Sequence, residues 1–198
     1  MKSEKNELKK IQKEVEKLLD GKRFEHTLGV AYTAACLAMR YGEDVEKARI
    51  AGMLHDCAKG ISDEKKLSTC KKAGLPVSDA EQANPGLLHA KLGAYLAEKE
   101  FGITDPEILR AIKFHTTGRP GMSTFEKIIY IADYIEPGRR TAPNLDEKRR
   151  MAFEDLDLAL VVILRDILEY LRECGQPVDP VTEETYRYYA GEPEEDDA

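Results

Sequence analysis

No apolar stretch in this chain approaches the roughly 18 consecutive residues that a membrane-spanning helix needs. The longest candidate, LALVVIL at 158–164, is bracketed by Asp157 and by Arg165 and Asp166, and reads as the buried face of a helix. The opening segment, MKSEKNELKKIQKEVEKLL, is charged throughout and lacks the apolar middle of a signal peptide. A cytoplasmic location is therefore expected. Cysteine is sparse as well: Cys36, Cys57, Cys70 and Cys174 stand far apart with no Cys-x-x-Cys spacing. That argues against a zinc ribbon and a disulfide framework and fits reduced thiols, with Cys57 as a small buried filler. Basic residues are outnumbered 30 to 37, which leaves a net charge of −7 and no general attraction for nucleic acid. Part of that excess lies in GEPEEDDA, expected to be a solvated acidic tail at 191–198. Sustained strand-type alternation, internal repeats and low-complexity linkers are all missing.

What is present is helical periodicity. Leu8, Ile11, Val15, Leu18 and Leu19 share one face of a first helix, with Gly21 as its stop signal. His26, Val30, Thr33 and Leu37 stack along a second, and Asp44 caps a third, VEKARIAGMLHDCAK, expected to run to about Gly60. Ser62 opens another. VSDAEQANPG reads as a loop, and a further amphipathic helix begins near Leu87. Asp105-Pro106 and Ser123-Thr124 start two more. One long pattern spans about Leu145 to Cys174, and a short one follows from Thr182 to Ala190. With 198 residues and 42% hydrophobic content, the expectation is an all-α bundle of one domain. Its parts would be an N-terminal helix at 1–20, a core carrying the chemistry at 21–140, and supporting C-terminal helices at 141–190.

Histidine is the scarce residue that matters most. The four, His26, His55, His89 and His115, each sit on or beside the apolar face of a different expected helix. Any one alone reads as a core histidine satisfied by a backbone carbonyl. Together they weigh differently, because histidines without a shared role would also fall on polar faces and in the tail. Asp56 follows His55 directly, and Asp133 interrupts the apolar run IIYIADYI. A buried carboxylate is costly unless a neighbouring arginine, a helix N-terminus or a metal compensates it. Imidazoles with carboxylates suit borderline divalent metals: iron, manganese, cobalt or zinc.

Two such ions about 3.5–4 Å apart can activate a water and clamp a phosphoryl oxygen. Phosphoryl transfer then needs mainly positioning and charge neutralisation. Lys59, one turn beyond His55, is placed to stabilise phosphate charge, against the plainer reading of a solvated lysine at a helix end. Arg23, Thr116, Thr117, Gly118 and Arg139 are candidate substrate contacts, ahead of Arg119 and Arg140, with plain solvated turns as the competing account. Tyr130, Tyr134 and Phe114 could stack on a base, yet their spacing reads more readily as core.

The order His26, His55-Asp56, Asp133 resembles the pattern of the HD phosphohydrolase superfamily. More narrowly, RFEHTLGV, AGMLHDCAKG, LLHAKLGA, AIKFHTTGRPGMS and IIYIADYIEPGRR resemble the signature segments of the bacterial HD-domain family often called YqeK, the symmetrical bis(5'-nucleosyl)-tetraphosphatases. The resemblance covers about residues 20 to 190. It implies an all-helical HD domain with two divalent ions, iron first. His26, His55, Asp56 and Asp133 would hold the first ion, and His89, His115 and a shared Asp56 the second. His89 would also face the substrate. It further implies attack by a metal-bound hydroxide on diadenosine tetraphosphate, giving two ADP, with Lys59 assisting departure. A homodimer is implied too; the apolar faces between Leu156 and Leu171 would serve either as its seam or as internal packing. Competing readings are an HD-type nucleotidase or phosphodiesterase on another nucleotide, and a non-catalytic nucleotide sensor.

Overall fold

The computed structural model describes residues 2–191 of the chain, with side chains from residue 7. All but Gly191 of the expected acidic tail lies outside the described residues. Among those described there are helices and no strands: α1 (Lys2–Leu18), α2 (Gly21–Tyr41), α3 (Val45–Leu54), α4 (Asp63–Ala73), α5 (Asp79–Ala83), α6 (Leu88–Lys99), α7 (Pro106–Phe114), α8 (Thr124–Ile135), α9 (Leu145–Glu154), α10 (Leu156–Glu173) and α11 (Pro180–Ala190). Among the described residues no helix is long and apolar enough to cross a membrane.

Local chemistry sets most of the boundaries. Asp20, Asp44, Asp105 and Asp179 each accept a backbone N–H at a helix start, and Pro106 and Pro180 occupy first turns, where a missing N–H does no harm. Ser123 and Glu126 form a reciprocal capping box at α8. Left-handed glycines, Gly42, Gly74 and Gly191, close α2, α4 and α11.

Four expectations need correction. Gly21 does not stop α1; it is the first residue of α2, behind the Asp20 cap. Leu18 is 45% exposed, whereas Leu8, Ile11, Val15 and Leu19 face the core. VSDAEQANPG is not a loop, because a Ser78–Glu81 capping box nucleates α5 and a 3-10 turn follows at Pro85–Leu87. The stretch from Leu145 to Cys174 is two helices, broken at Asp155, whose extended backbone frees its carboxylate to cap α10. No glycine or proline marks that break in the sequence.

A fifth correction bears on function. α3 ends at Leu54, not near Gly60, and the chain continues in tight turns, Cys57 N–H to Leu54 O and Lys59 N–H to Asp56 O. His55, Asp56, Cys57 and Ala58 are all buried. Burial runs unbroken from Ala51 to Ala58, through the last turn of α3 and the tight turns after it. This segment lies against α2, where Gly52 meets the backbone of Ala31: a Cβ on Gly52 would sit 2.8 Å from Ala31 Cα. Around that contact α2, α3, α7 and α8 pack through Val30, Leu54, Ile112, Ile128 and Ile131.

Gly52→Ala tests this crossing. Alanine would favour the helix by about 1 kcal/mol, but overpacking against rigid backbone costs about 1–3 kcal/mol. The expected outcome is a net loss of stability, read as a lower thermal midpoint. A midpoint equal to or above that of the parent would show that the helices can separate freely.

Candidate metal centre

The α2–α3 crossing and the helices around it aim six side chains at one point. His26 comes from α2, His55 and Asp56 from the end of α3, His89 from α6, His115 from the end of α7, and Asp133 from α8. His55, Asp56, His89 and His115 are buried. Asp56 lies between two donor groups. Its Oδ2 is 3.6 Å from His55 Nε2 and 4.0 Å from His26 Nε2. Its Oδ1 is 3.2 Å from His89 Nε2 and 3.7 Å from His115 Nε2. Asp133 Oδ1 completes the first group, 3.0 Å from His26 Nε2 and 4.0 Å from His55 Nε2.

Hydrogen bonding on the far side of each ring decides what the near side can do. Nδ1 lies 2.7 Å from Gly52 O in His55, 2.6 Å from Gly86 O in His89 and 2.7 Å from Ile112 O in His115. A carbonyl only accepts, so each Nδ1 carries the proton and each neutral Nε2 presents a lone pair. The Nε2 atoms of His89 and His115 then face each other at 3.1 Å with no proton to share. The Nε2 atoms of His26 and His55 are buried with no hydrogen-bond partner, and the close Asp133 oxygen does not meet hydrogen-bond geometry. Among the described residues the His26 and His55 lone pairs have no donor, while those of His89 and His115 meet each other, Lys59 and Thr116. A divalent cation would satisfy the unpartnered lone pairs, so the donor set fits such an ion.

The electrostatics agree. Burial pushes His55 and His89 down to about 4, which keeps both rings neutral as ligands. Burial alone would also lower His26, but the carboxylates of Asp133, Glu136 and Asp56 outweigh it and raise its pKa above the ordinary 6.5. Burial would raise the Asp56 and Asp133 carboxyls; the imidazoles around them hold both well below the usual range. Burial is also the main force lowering the Lys59 pKa, with Asp56 partly opposing it. Cys57 behaves as filler, its thiol pushed up to about 12 by burial and by the Asp56 charge.

The remaining sequence candidates distribute unevenly. Lys59 Nζ lies 3.3 Å from His89 Nε2, inside the cluster. Arg23 Nη1 donates to Asp56 Oδ2 at 2.9 Å, and Arg139 Nη2 to Asp133 Oδ1 at 3.0 Å. Thr116 Oγ1 lies 3.3 and 3.2 Å from the Nε2 atoms of His89 and His115. Beyond the cluster opens a cavity of about 430 Å³, lined in part by His115, Thr116, Thr117, Asp133 and Arg139. Gly118 faces elsewhere: it has φ 66°, and a Cβ there would meet Thr185 of α11 at 2.8 Å. Arg119 is occupied by an ion pair with Glu126.

Glu136 escaped the sequence reading. It is buried, its Oε1 lies 3.1 Å from His26 Nδ1, and Gly138 N–H donates to its Oε2. It thus gives His26 what backbone carbonyls give the other three rings. The only signal was glycine: Gly29 and Gly138 both leave room for the carboxylate, and a Cβ on Gly29 would sit 2.5 Å from Oε2.

An all-helical scaffold that converges histidines and aspartates in this order defines a hydrolase of the HD class. A family model described as HD domain matches residues 23–138. The symmetrical bis(5'-nucleosyl)-tetraphosphatase of Bacillus subtilis is 43% identical over 174 residues, 88% of this chain and 92% of that protein. The enzyme of the same description from Staphylococcus aureus is 38% identical over 92% of this chain and 94% of its own length. A crystal structure from Clostridium acetobutylicum, described as an HD superfamily hydrolase involved in NAD metabolism, superposes with a TM-score of 0.89. It is 45% identical and covers 93% of this chain and 97% of that one. The chain belongs to the family of symmetrical bis(5'-nucleosyl)-tetraphosphatases within the HD-domain hydrolases.

Replacing Glu136 by alanine should weaken divalent-metal retention by about 10–100-fold, the usual effect of losing a histidine's outer partner, and Glu136→Gln should restore part of it. Metal analysis after dialysis against a graded chelator reads this. Retention equal to the parent's would remove Glu136 from the centre. The raised His26 pKa adds a sign: metal must displace a proton there near neutral pH, so uptake should release protons. Calorimetry in two buffers of different ionisation enthalpy should give different heats; equal heats would contradict it.

Proposed function

We propose that this chain hydrolyses diadenosine tetraphosphate, and related dinucleoside polyphosphates, symmetrically to two nucleoside diphosphates. Its close relatives carry that activity in their names over nearly their whole length. The observation that carries the reading is the Asp56 carboxylate, whose two oxygens face two separate histidine groups. We assign His26, His55, Asp56 and Asp133 to a first divalent ion, and Asp56, His89 and His115 to a second. The family resemblance points to iron; manganese, cobalt and zinc suit the same nitrogen and oxygen donors. When bound, such ions supply charge neutralisation and water activation for attack at phosphorus.

The chain's own groups do the rest. Arg23 and Arg139 donate to the Asp56 and Asp133 oxygens that face His26 and His55, which fixes both carboxylates, and their remaining N–H groups are available to phosphate. Thr116 can orient a polar group above His89 and His115. Water adds to an inner phosphorus, the central phosphoanhydride bond breaks, and the departing diphosphate leaves as an anion beside the Lys59 ammonium. A net charge of −7 favours a small nucleotide, held by a local cationic site, over a nucleic acid.

The test is a nucleotide panel on purified, metal-loaded protein, with products resolved by chromatography. The expected result is ADP alone from diadenosine tetraphosphate. A preference for a nucleoside monophosphate or a cyclic nucleotide, or the formation of ATP with AMP, would overturn the reading. Three variants divide the roles. Asp56→Ala should abolish both metal content and turnover. His89→Ala should lower the metal-to-protein ratio without emptying the centre. Lys59→Ala should lower kcat on the order of 100-fold at unchanged metal content; full activity there would remove Lys59 from catalysis.

A further inference from the structure

Tyr130 holds a buried hydroxyl that the assignment above does not use. It lies on α8, one turn before Asp133, is only 2% exposed, and its Oη has no hydrogen-bond partner among the described residues. Tyr41 and Tyr189 differ: their hydroxyls reach the carbonyls of Ala152 and Met122. A buried phenol is rarely left without a partner unless something else supplies one. Tyr130 is also part of the wall of the cavity of about 430 Å³. Burial keeps the phenol protonated, so it can donate.

The lining of that cavity is of two kinds. His115, Asp133 and Arg139 belong to the metal centre. Ile167, Tyr170 and Leu171 come from α10, with Asp166 beside them. Tyr170 is 63% exposed, an open aromatic face at the cavity's edge. A volume of this size is that of a small-molecule site. A phosphorylated nucleoside has the same polarity: anionic at one end, a flat apolar base at the other. The α10 wall also lies outside residues 23–138, the span of the HD match.

We propose that this cavity seats one nucleoside half of the substrate, its base stacked on Tyr170 against Ile167 and Leu171, and a sugar or phosphate oxygen accepting from the Tyr130 hydroxyl. Substrate choice is then a property of the C-terminal helices, and hydrolysis a property of the HD core. The proposal rests on the dinucleotide reading above and adds to it which part of the chain recognises the base.

Calorimetric titration of the metal-loaded protein with ADP and with inorganic pyrophosphate tests it. Tyr170→Ala, at an exposed position, should weaken ADP roughly tenfold, within the usual range for a base stacked on an aromatic ring, and leave pyrophosphate unchanged. Tyr130→Phe should weaken ADP by about five- to tenfold, with a thermal midpoint equal to or above the parent's, since the lost hydroxyl had no internal partner. If Tyr130→Phe also weakens pyrophosphate, the acceptor is a phosphate oxygen; if ADP alone, a sugar oxygen. Both results support the assignment. Unchanged ADP affinity in both variants would overturn it, as would a lowered midpoint for Tyr130→Phe or equal loss of pyrophosphate for Tyr170→Ala. Hydrolysis by the parent protein separates the two ideas: cleavage to ADP with unaffected variants defeats the cavity proposal alone, whereas a parent that neither cleaves the dinucleotide nor binds ADP defeats both.

Discussion

Everything chemical in this fold depends on how three imidazoles are fastened from behind. His55, His89 and His115 each give their Nδ1 proton to a carbonyl three residues earlier in the chain, at Gly52, Gly86 and Ile112. Such a bond sets the tautomer and the ring orientation together. Each Nε2 lone pair is then turned inward, where water is scarce and only a cation or a proton donor can meet it. The fold holds this unsatisfied arrangement through rigid neighbours, among them the close Gly52–Ala31 approach of α2 and α3. The centre is thus an electrostatic deficit that the rest of the molecule keeps in place.

Asp56 organises that deficit. Its two oxygens face different histidine pairs, and Arg23 approaches the same carboxylate from the partly exposed side. Asp133 has a matching relation to Arg139. Against burial, the imidazoles around them hold both carboxyls below the usual range, towards the ionised form that a metal requires. Positive charge thus sits against the cluster on three sides, from Arg23 on Asp56, Arg139 on Asp133 and Lys59 beside His89.

The plain account of a core histidine, satisfied by a backbone carbonyl, turned out to describe half of each ring. It holds for Nδ1 of His55, His89 and His115, and it is what leaves Nε2 available. Structural satisfaction and metal-ligand character are therefore not rivals here. His26 takes its outer partner from Glu136 instead, 110 positions away.

Much was legible in the chain itself. Apolar periodicity, aspartate and serine caps and prolines in first turns mark most helices, because these are interactions within one turn of helix. The identities of the donors, His26, His55, Asp56, His89, His115 and Asp133, were readable because histidine is scarce and a carboxylate inside IIYIADYI is expensive. Other features required the tertiary structure. The early end of α3 carries no stop signal before Gly60, and the break at Asp155 carries no glycine or proline. Glu136 lies next to His26 only after α8 packs on α2, and the cavity beside Tyr130 exists only where α10 closes over α8. Residue type and short-range hydrogen bonding are local and written in order along the chain, whereas which oxygen faces which nitrogen is set by packing between segments a hundred residues apart.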